Sequence, residues 1–339
     1  MNRIIGPEAT KSATTSPTNS GLEVKWLTVD EESAGQRLDN FLIRHLKGVP
    51  KTHVYRIIRS GEVRVNKGRA SADTRIESGD VVRLPPVRIS DRVAEKVARP
   101  APGREFPLLL EDDALMAIDK PAGVAVHGGS GVSFGIIEQL RQARPQAKLL
   151  ELVHRLDRET SGILLVAKKR SALKHLQDQF RERETGKTYL ALVQGSWPEK
   201  LKVIDSSLHK YLLTDGERRV KVTTPEDPDG MRSISLVKVA ERLAGCTLLE
   251  VTIKTGRTHQ IRVHLSAAGY PLVGDVLYGG KPLGAMVRQA LHAHQLSFDH
   301  PVTGALMGWE APLPVDFLGA LEAAQLYYNG DLVAWPFQG

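Results

Sequence analysis

Between residues 107 and 330 the apolar residues of this chain fall into short runs of Leu, Val and Ile. The runs come in hairpin-like pairs, without crossover helices at regular intervals. "LLLEDDALMAIDK" turns back at Asp112–Asp113, and "GILLVAKK", "YLALVQG" and "CTLLEVTIK" follow it. Neighbouring parallel strands need a connection of a dozen or more residues, whereas antiparallel strands close through tight turns. The pattern predicts an α+β domain around a mixed, mostly antiparallel sheet, with helices at about 134–143, 171–183 and 259–267. Hydrophobic residues are 41% of the 339 but aromatics only 5%, so the core must be mainly aliphatic. No internal repeat is evident.

A smaller unit precedes this one, over about 23–90. Leu38, Phe41, Leu42, His45 and Leu46 recur at the spacing of an amphipathic helix. A second short helix carries Val54, Ile57 and Ile58 on its apolar side and ends at Gly61. "EVRVNKGRA" reads as a strand, a turn at Asn66–Gly68 and a return strand, and "GDVVRL" as a closing strand. Lys51, Tyr55, Arg56, Arg59, Arg64 and Lys67 crowd this stretch. Cations interleaved with one aromatic ring suit phosphate contacts with a ring left to stack on a base. Residues 1–22, rich in Ser, Thr, Asn and Pro, read as a disordered tail, and the charged, Pro-containing 91–106 as a linker.

The formal net charge is +7 and the pI about 9.4, which favours a polyanionic partner such as nucleic acid. The single cysteine, Cys246, excludes an internal disulfide and a tetrathiolate metal site, and fits a reducing compartment. No apolar run approaches the roughly 18–20 residues that span a bilayer, and the N-terminus has no secretory-type apolar stretch. A cytoplasmic protein without a membrane partner is the expectation.

The residues richest in chemistry lie in "LVHRLDRETSGILLVAKKRS", where Asp157 sits in a polar loop before an apolar strand, among His154, Arg155 and Arg158. A carboxylate in such a loop is available as a nucleophile or base. "HRLD" lacks the order of a kinase catalytic loop, and "GKT" at 186–188 lacks the first glycine of a phosphate loop. In "KTGRTHQIRVHLSAAG", Thr258 is placed to cap a helix with Ile261, Leu265 and Ala268 facing the core, and Arg257, His259, Gln260 and Arg262 near its start. Lys187, Tyr189 and Leu190 open a further strand, where Tyr189 on its own reads as a core or edge residue. His259, His264, His292 and His294 do not form a metal set, because i, i+5 on a helix does not put two imidazoles on one face and no HExxH occurs.

Taken in order, "LEDDALMAIDKPAGVAVHGG", "HRLDRETSGILLVAKK", "KTYLALVQG" and "TGRTHQIRVH" resemble the motifs of RluA-type pseudouridine synthases, across about 107–310. The unit at 35–86 resembles the S4-like RNA-binding domain that often precedes them. "KGVPKTHVYRIIRSGEVRVNKGR" and "VHGGSGVSFGIIEQLR" carry a closer similarity to synthases of large-subunit (23S) ribosomal RNA. The resemblance implies isomerisation of uridine without a cofactor: the base is cut from ribose carbon 1′, turned, and rejoined through carbon 5. It implies Asp157 as the carboxylate acting on the ribose, and Arg262 as its partner. Tyr189 is implied as the ring stacked on the base, with the proton on carbon 5 also in its reach. Arg155 is implied as the side chain that fills the space of the flipped nucleotide. His154, Arg158, Thr160 and Arg257 are implied as RNA-contacting or loop-supporting, with apolar residues around Leu190 and Ile261 as walls. The implied partner is large-subunit ribosomal RNA or an assembly intermediate containing it, bound by a monomer.

Two rival readings have different requirements. A non-catalytic assembly factor would explain the charge but not the joint presence of Asp157, Tyr189 and Arg262. A metal-dependent RNA hydrolase needs a ligand cluster that the sequence does not offer. Cation density at 51–69 predicts that removing residues before 100 weakens ribosomal RNA binding and flattens its salt dependence more than it slows the chemical step. Salt titrations of both proteins check this, and unchanged affinity in the truncated protein would refute it.

Overall fold

Apolar side chains three and four apart drive the first helix of the smaller unit. The computed structural model describes residues 23–325 apart from 32, 47, 88–100, 129–133, 214–217 and 244. The expected tail and most of the expected linker lie outside the described residues. The chain divides into residues 1–100 and 101–339.

In the first unit, helices α1 (Leu38–His45) and α2 (Lys51–Arg59) pack with strands β1 (Lys25–Thr28), β2 (Arg64–Val65) and β3 (Val81–Leu84), in the antiparallel order β1-β3-β2. Leu38, Phe41 and Leu42 meet Val54, Ile57, Ile58, Ile76 and Val82 in one core. That burial turns Lys51, Tyr55, Arg56 and Arg59 outward. The partner of β2 differs from the sequence expectation. Asn66 and Lys67 make the turn at positive φ (49° and 68°), but β2 then pairs with β3, Val65 opposite Val82. The segment between is held by side-chain bonds to its own backbone, Thr74 Oγ1 accepting from Ser71 N at 3.0 Å and Asp80 Oδ2 from Glu77 N at 2.8 Å. Such local bonds compete with a strand ladder.

The second unit is one mixed sheet. Its strands are β4 (Leu108–Glu111), β5 (Leu115–Lys120), β6 (Glu151–Leu152), β7 (Ser161–Ala167), β8 (Gly186–Gln194), β9 (Val203–Leu212), β10 (Arg218–Thr223), β11 (Met231–Leu243), β12 (Cys246–Ile253), β13 (Leu291–Asp299) and β14 (Leu306–Glu310). The order is β10-β9-β11-β12-β8-β13-β7-β5-β4, with β14 beside β13 and β6 beside β7. Among the described residues every pairing is antiparallel except β13 with β7. Gly162 makes that parallel contact possible: its φ is +105°, and a Cβ there would lie 2.2 Å from the Ala293 carbonyl oxygen.

Among the described residues four α-helices cover the sheet: α3 (Ile136–Ala143), α4 (Arg170–Glu182), α5 (Gln260–Ala267) and α6 (Val315–Ala323). Strand alternation assigns their faces. On β7, Leu164 and Val166 meet Ile136 and Leu140 of α3, while Ile163 and Leu165 meet Leu173 and Leu176 of α4. On β8, Ala191 and Val193 meet Ile261 and Leu265 of α5, while Leu190 and Leu192 meet Phe317 and Leu321 of α6. Phe106 is buried against α3, so the described end of the expected linker belongs to this unit's core. No helix among the described residues is long and apolar enough to cross a membrane.

Two fully buried histidines tie the sheet together in their neutral form. Ala311 O can only accept, so His292 Nε2–H donates to it (3.2 Å) and Nδ1 accepts from the Ser161 hydroxyl (2.9 Å). His264 lies between Ser233 Oγ (2.7 Å) and Ser235 Oγ (3.0 Å). Burial pulls His292 down to about 3 and His264 down to about 4. The unfolded chain, near 6.5, takes up protons first as the pH falls, so stability is complete above 6.5 and is lost through 4 and 3. The expected slope is roughly 1.4 kcal/mol per pH unit for each histidine below pH 6.5. Urea midpoints at pH 7.5 and 5.0 check this, and equal stability at both would contradict it.

Candidate active site

The segment leading into α5 is shaped by one glutamine. Gln260 Oε1 accepts from the Arg257 backbone N–H (3.1 Å) and the Thr255 hydroxyl (2.7 Å), and Nε2 donates to Ile234 O (3.0 Å). His259, not Thr258, occupies the N-cap, in the left-handed region at φ 51° and without a side-chain cap bond. Gln260 satisfies the turn that Thr258 was expected to cap. A non-glycine residue held there costs energy and tends to mark a functional position.

This geometry presents Arg262 to two carboxylates. Its Nε and Nη2 donate to Asp275 Oδ2 and Oδ1 at 2.7 and 2.8 Å, a bidentate bond within the protein. The remaining nitrogen, Nη1, donates to Asp157 Oδ2 at 3.3 Å. The Arg262 side chain is 7% exposed and that of Asp275 1%, whereas that of Asp157 is 28% exposed. The Tyr278 ring lies 4.9 Å from the guanidinium carbon. The Tyr278 hydroxyl is 2.8 Å from His259 Nδ1, and His259 Nε2 is 3.9 Å from Asp157 Oδ2.

The loop that carries Asp157, between β6 and β7, is gripped through its backbone. Lys120, fully buried at the end of β5, donates to the carbonyl of Arg158 (2.9 Å) and to that of Pro121 (2.8 Å). Arg288 donates to the next carbonyl, Glu159 O (2.9 Å), and is itself held by both oxygens of Asp316 at 2.7 and 2.9 Å. Burial pulls the Lys120 ammonium down to about 7. His154 accepts from the Leu165 backbone N–H (3.1 Å) and stacks on Phe180 at 4.8 Å. Burial first, then the Lys187 charge, pulls it down to about 3. A neutral ring spent on the β7 backbone supports the loop.

Asp157 opens onto a cavity of about 90 Å³ lined by Arg155, Leu156, Tyr189, Ile253, His259, Ile261, Arg262 and Leu291, among others. Asp157, Tyr189 and Arg262 are therefore brought together, with Arg155 and Arg257 at the rim. Tyr189 faces the cavity because it alternates with Leu190. Leu190 packs on the α6 face instead and is not a wall; Leu156, Ile253 and Leu291 join Ile261 in that place. Burial, then the Asp157 charge, pushes the Tyr189 hydroxyl well above its usual range, so it stays protonated. The cavity continues into a groove of about 840 Å³ lined by cations, including Arg158, Arg181, Lys187, Lys210 and Arg257. A recess that sets a carboxylate and a ring among aliphatic side chains, opening onto a basic groove, fits a nucleic-acid strand with one unit turned inward.

In the N-terminal unit, Tyr55 donates to Asp39 Oδ2 (3.1 Å), which Arg37 also holds (2.8 and 3.1 Å). Tyr55, Arg59 and Arg69 border a hollow of about 500 Å³. Lys51, Arg56 and Lys67 are exposed, and Arg64 is half-buried with its Nε on Gly61 O (2.9 Å). Among the described residues one possible cation grouping occurs, His209, Asp227 and Asp229, within 4.8 Å of one another. Asp227 Oδ2 already bonds His209 (2.7 Å) and Thr223 (2.6 Å).

Asp275, Tyr278, Lys120 and Arg288 were not singled out by the sequence reading. Asp275 and Tyr278 lie at a short 3-10 turn without periodicity, and no sequence pattern sets them apart from surface residues.

Comparisons with known proteins agree with this geometry. A family model described as RNA pseudouridylate synthase matches residues 114–267, and an S4 domain model matches 36–82. "Ribosomal large subunit pseudouridine synthase C" of Haemophilus influenzae is 47% identical over 299 residues, covering 86% of this chain and 92% of that protein. The proteins of the same name from Yersinia pestis and Escherichia coli are 49% and 48% identical, each over 86% of this chain and 92% and 93% of their own length. The solved structure of human RNA pseudouridylate synthase domain containing 4 aligns with a TM-score of 0.54 at 25% identity, over 65% of this chain and 94% of that one. Human RNA pseudouridylate synthase domain containing 1 gives 0.50 at 27% identity, over 63% and 86%.

Proposed function

This chain belongs to the RNA pseudouridylate synthase family and is an RNA pseudouridine synthase, and from that premise we propose that it acts on uridines of large-subunit (23S) ribosomal RNA in the cytoplasm. The observation that carries the chemistry is Asp157, partly exposed at the mouth of the cavity and bonded on one oxygen by Arg262, itself locked on Asp275. The name shared by relatives nearly half identical over more than nine-tenths of their length supports the large-subunit target.

On this reading the uridine leaves its stack and enters the cavity. Tyr189 stacks on the base, and its protonated hydroxyl favours packing and hydrogen bonding over proton removal. Asp157 meets the ribose at carbons 1′ and 2′, where both attack on carbon 1′ and removal of the 2′ proton begin. Arg262 holds the carboxylate's rotamer while leaving its second oxygen for the substrate. Leu156, Ile253, Ile261 and Leu291 enclose the freed uracil, which must turn without escaping. Arg155, exposed at the rim, fills the place of the flipped nucleotide. The groove cations and the Lys51–Lys67 face of the S4-like unit hold the phosphates. The protein works as a monomer on the RNA or on an assembly intermediate containing it.

Tritium release from transcribed 23S RNA labelled at carbon 5 of uridine tests the substrate assignment, with transfer RNA as control. Release from 23S RNA alone is expected. Release from transfer RNA alone would move the target, and release from neither, with tight binding retained, would favour an assembly intermediate as substrate.

A further inference from the structure

We propose that His259 reads the ribose: its Nε2–H and Asp157 together bracket the 2′-hydroxyl of the flipped uridine. The inference rests on the pseudouridine synthase reading and names the residue that selects the sugar at that site.

The tautomer of His259 follows from its neighbours. The phenol oxygen of Tyr278 accepts from the Val220 backbone N–H, and burial raises this hydroxyl to about 12, so it keeps its proton. That proton has His259 Nδ1 as its partner at 2.8 Å. A ring that accepts at Nδ1 and is neutral carries its own hydrogen on Nε2. Burial outweighs the Asp157 charge and lowers His259 from its ordinary value, consistent with the neutral ring. The donor therefore faces the cavity, on the side of Asp157.

The distance from Nε2 to Asp157 Oδ2, 3.9 Å, is too long for a direct hydrogen bond. It is the separation at which one oxygen can stand about 2.8–3.0 Å from each. Such an oxygen must accept from Nε2–H and donate to a carboxylate, which a hydroxyl does and a carbonyl or ether oxygen does not. Asp157 must approach carbons 1′ and 2′ whichever way the glycosidic bond is cut, and the hydroxyl attached there is the 2′-OH. This group is also what separates RNA from DNA at a given site. The left-handed φ of His259 aims the ring inward from the start of α5, and Tyr278 holds it in place. Arg262 adds a fixed charge to the bracket: Nε and Nη2 are spent on Asp275 and Nη1 on Asp157 Oδ2, whose second lone pair takes the hydroxyl while Oδ1 stays open to the ribose carbons.

The test uses the full chain and an RNA fragment containing a uridine that wild type converts, with either uridine or 2′-deoxyuridine at that position. The deoxy RNA is measured as a competitive inhibitor, so its affinity is read whether or not it reacts. His259→Phe is expected to raise KM for the ribose RNA about tenfold while leaving the inhibition constant of the deoxy RNA unchanged, because the group that His259 reads is missing. His259→Gln, which keeps an N–H donor near the Nε2 position, should restore most of the discrimination. Equal weakening for both RNAs in His259→Phe, or failure of His259→Gln to discriminate better than His259→Phe, would overturn the proposal. Absence of product with wild type on every ribosomal fragment would instead count against the substrate assignment.

Discussion

One guanidinium shared by two carboxylates organises this protein's site. Arg262 is buried and gives two of its nitrogens to Asp275, itself almost wholly inside. Burying such charges is costly, and leaving either without the other costs on the order of 3–5 kcal/mol. The pair therefore fixes three separate segments at one point: the start of α5, the turn of Asp275–Tyr278, and the loop of Asp157. Because Asp275 takes the bidentate share, Asp157 receives a single longer bond. Its carboxylate is oriented by the arginine but keeps an oxygen for substrate.

The loop on the other side of that bond is equally constrained. Lys120 and Arg288 hold two successive carbonyls, those of Arg158 and Glu159, immediately after Asp157. Neutral His154 fastens its beginning to β7, and neutral His292 of β13 holds Ser161, where the loop passes into β7. Few of these groups reach solvent, so the carboxylate's position is set by the core and not by the groove. Binding and chemistry are weighted differently: cations line the groove, while the cavity sets four aliphatic side chains, Leu156, Ile253, Ile261 and Leu291, around Asp157, His259 and Arg262. A base drawn into that cavity exchanges stacking on its neighbours for Tyr189 and the apolar walls, which offsets part of the cost of flipping.

Much of the sheet could be read from the sequence because its strands are aliphatic runs bounded by turns, β7 being buried along its whole length. The residues that meet in the cavity were visible as polar positions beside those strands, and the resemblance supplied the link between Asp157, Tyr189 and Arg262. What stayed hidden has a common cause. Asp275, Lys120 and Arg288 act through burial and long-range pairing, and a charged residue in a short run looks solvent-facing until its partner is known. Leu190 itself points to the α6 face because it alternates with Tyr189 along β8. Thr258 suits a cap by residue type, but Gln260, two residues on, satisfies the turn in its place. The partner of β2 lay beyond an irregular stretch whose own Ser, Thr and Asp bonds displaced the expected return strand.

The central claim is that Asp157 performs the chemistry while other groups bind the RNA. Asp157→Asn, compared with wild type for RNA affinity and for pseudouridine formed in a single turnover, tests it most directly. Affinity within about twofold of wild type and no detectable pseudouridine are predicted. Product formed at a rate near that of wild type would contradict the account.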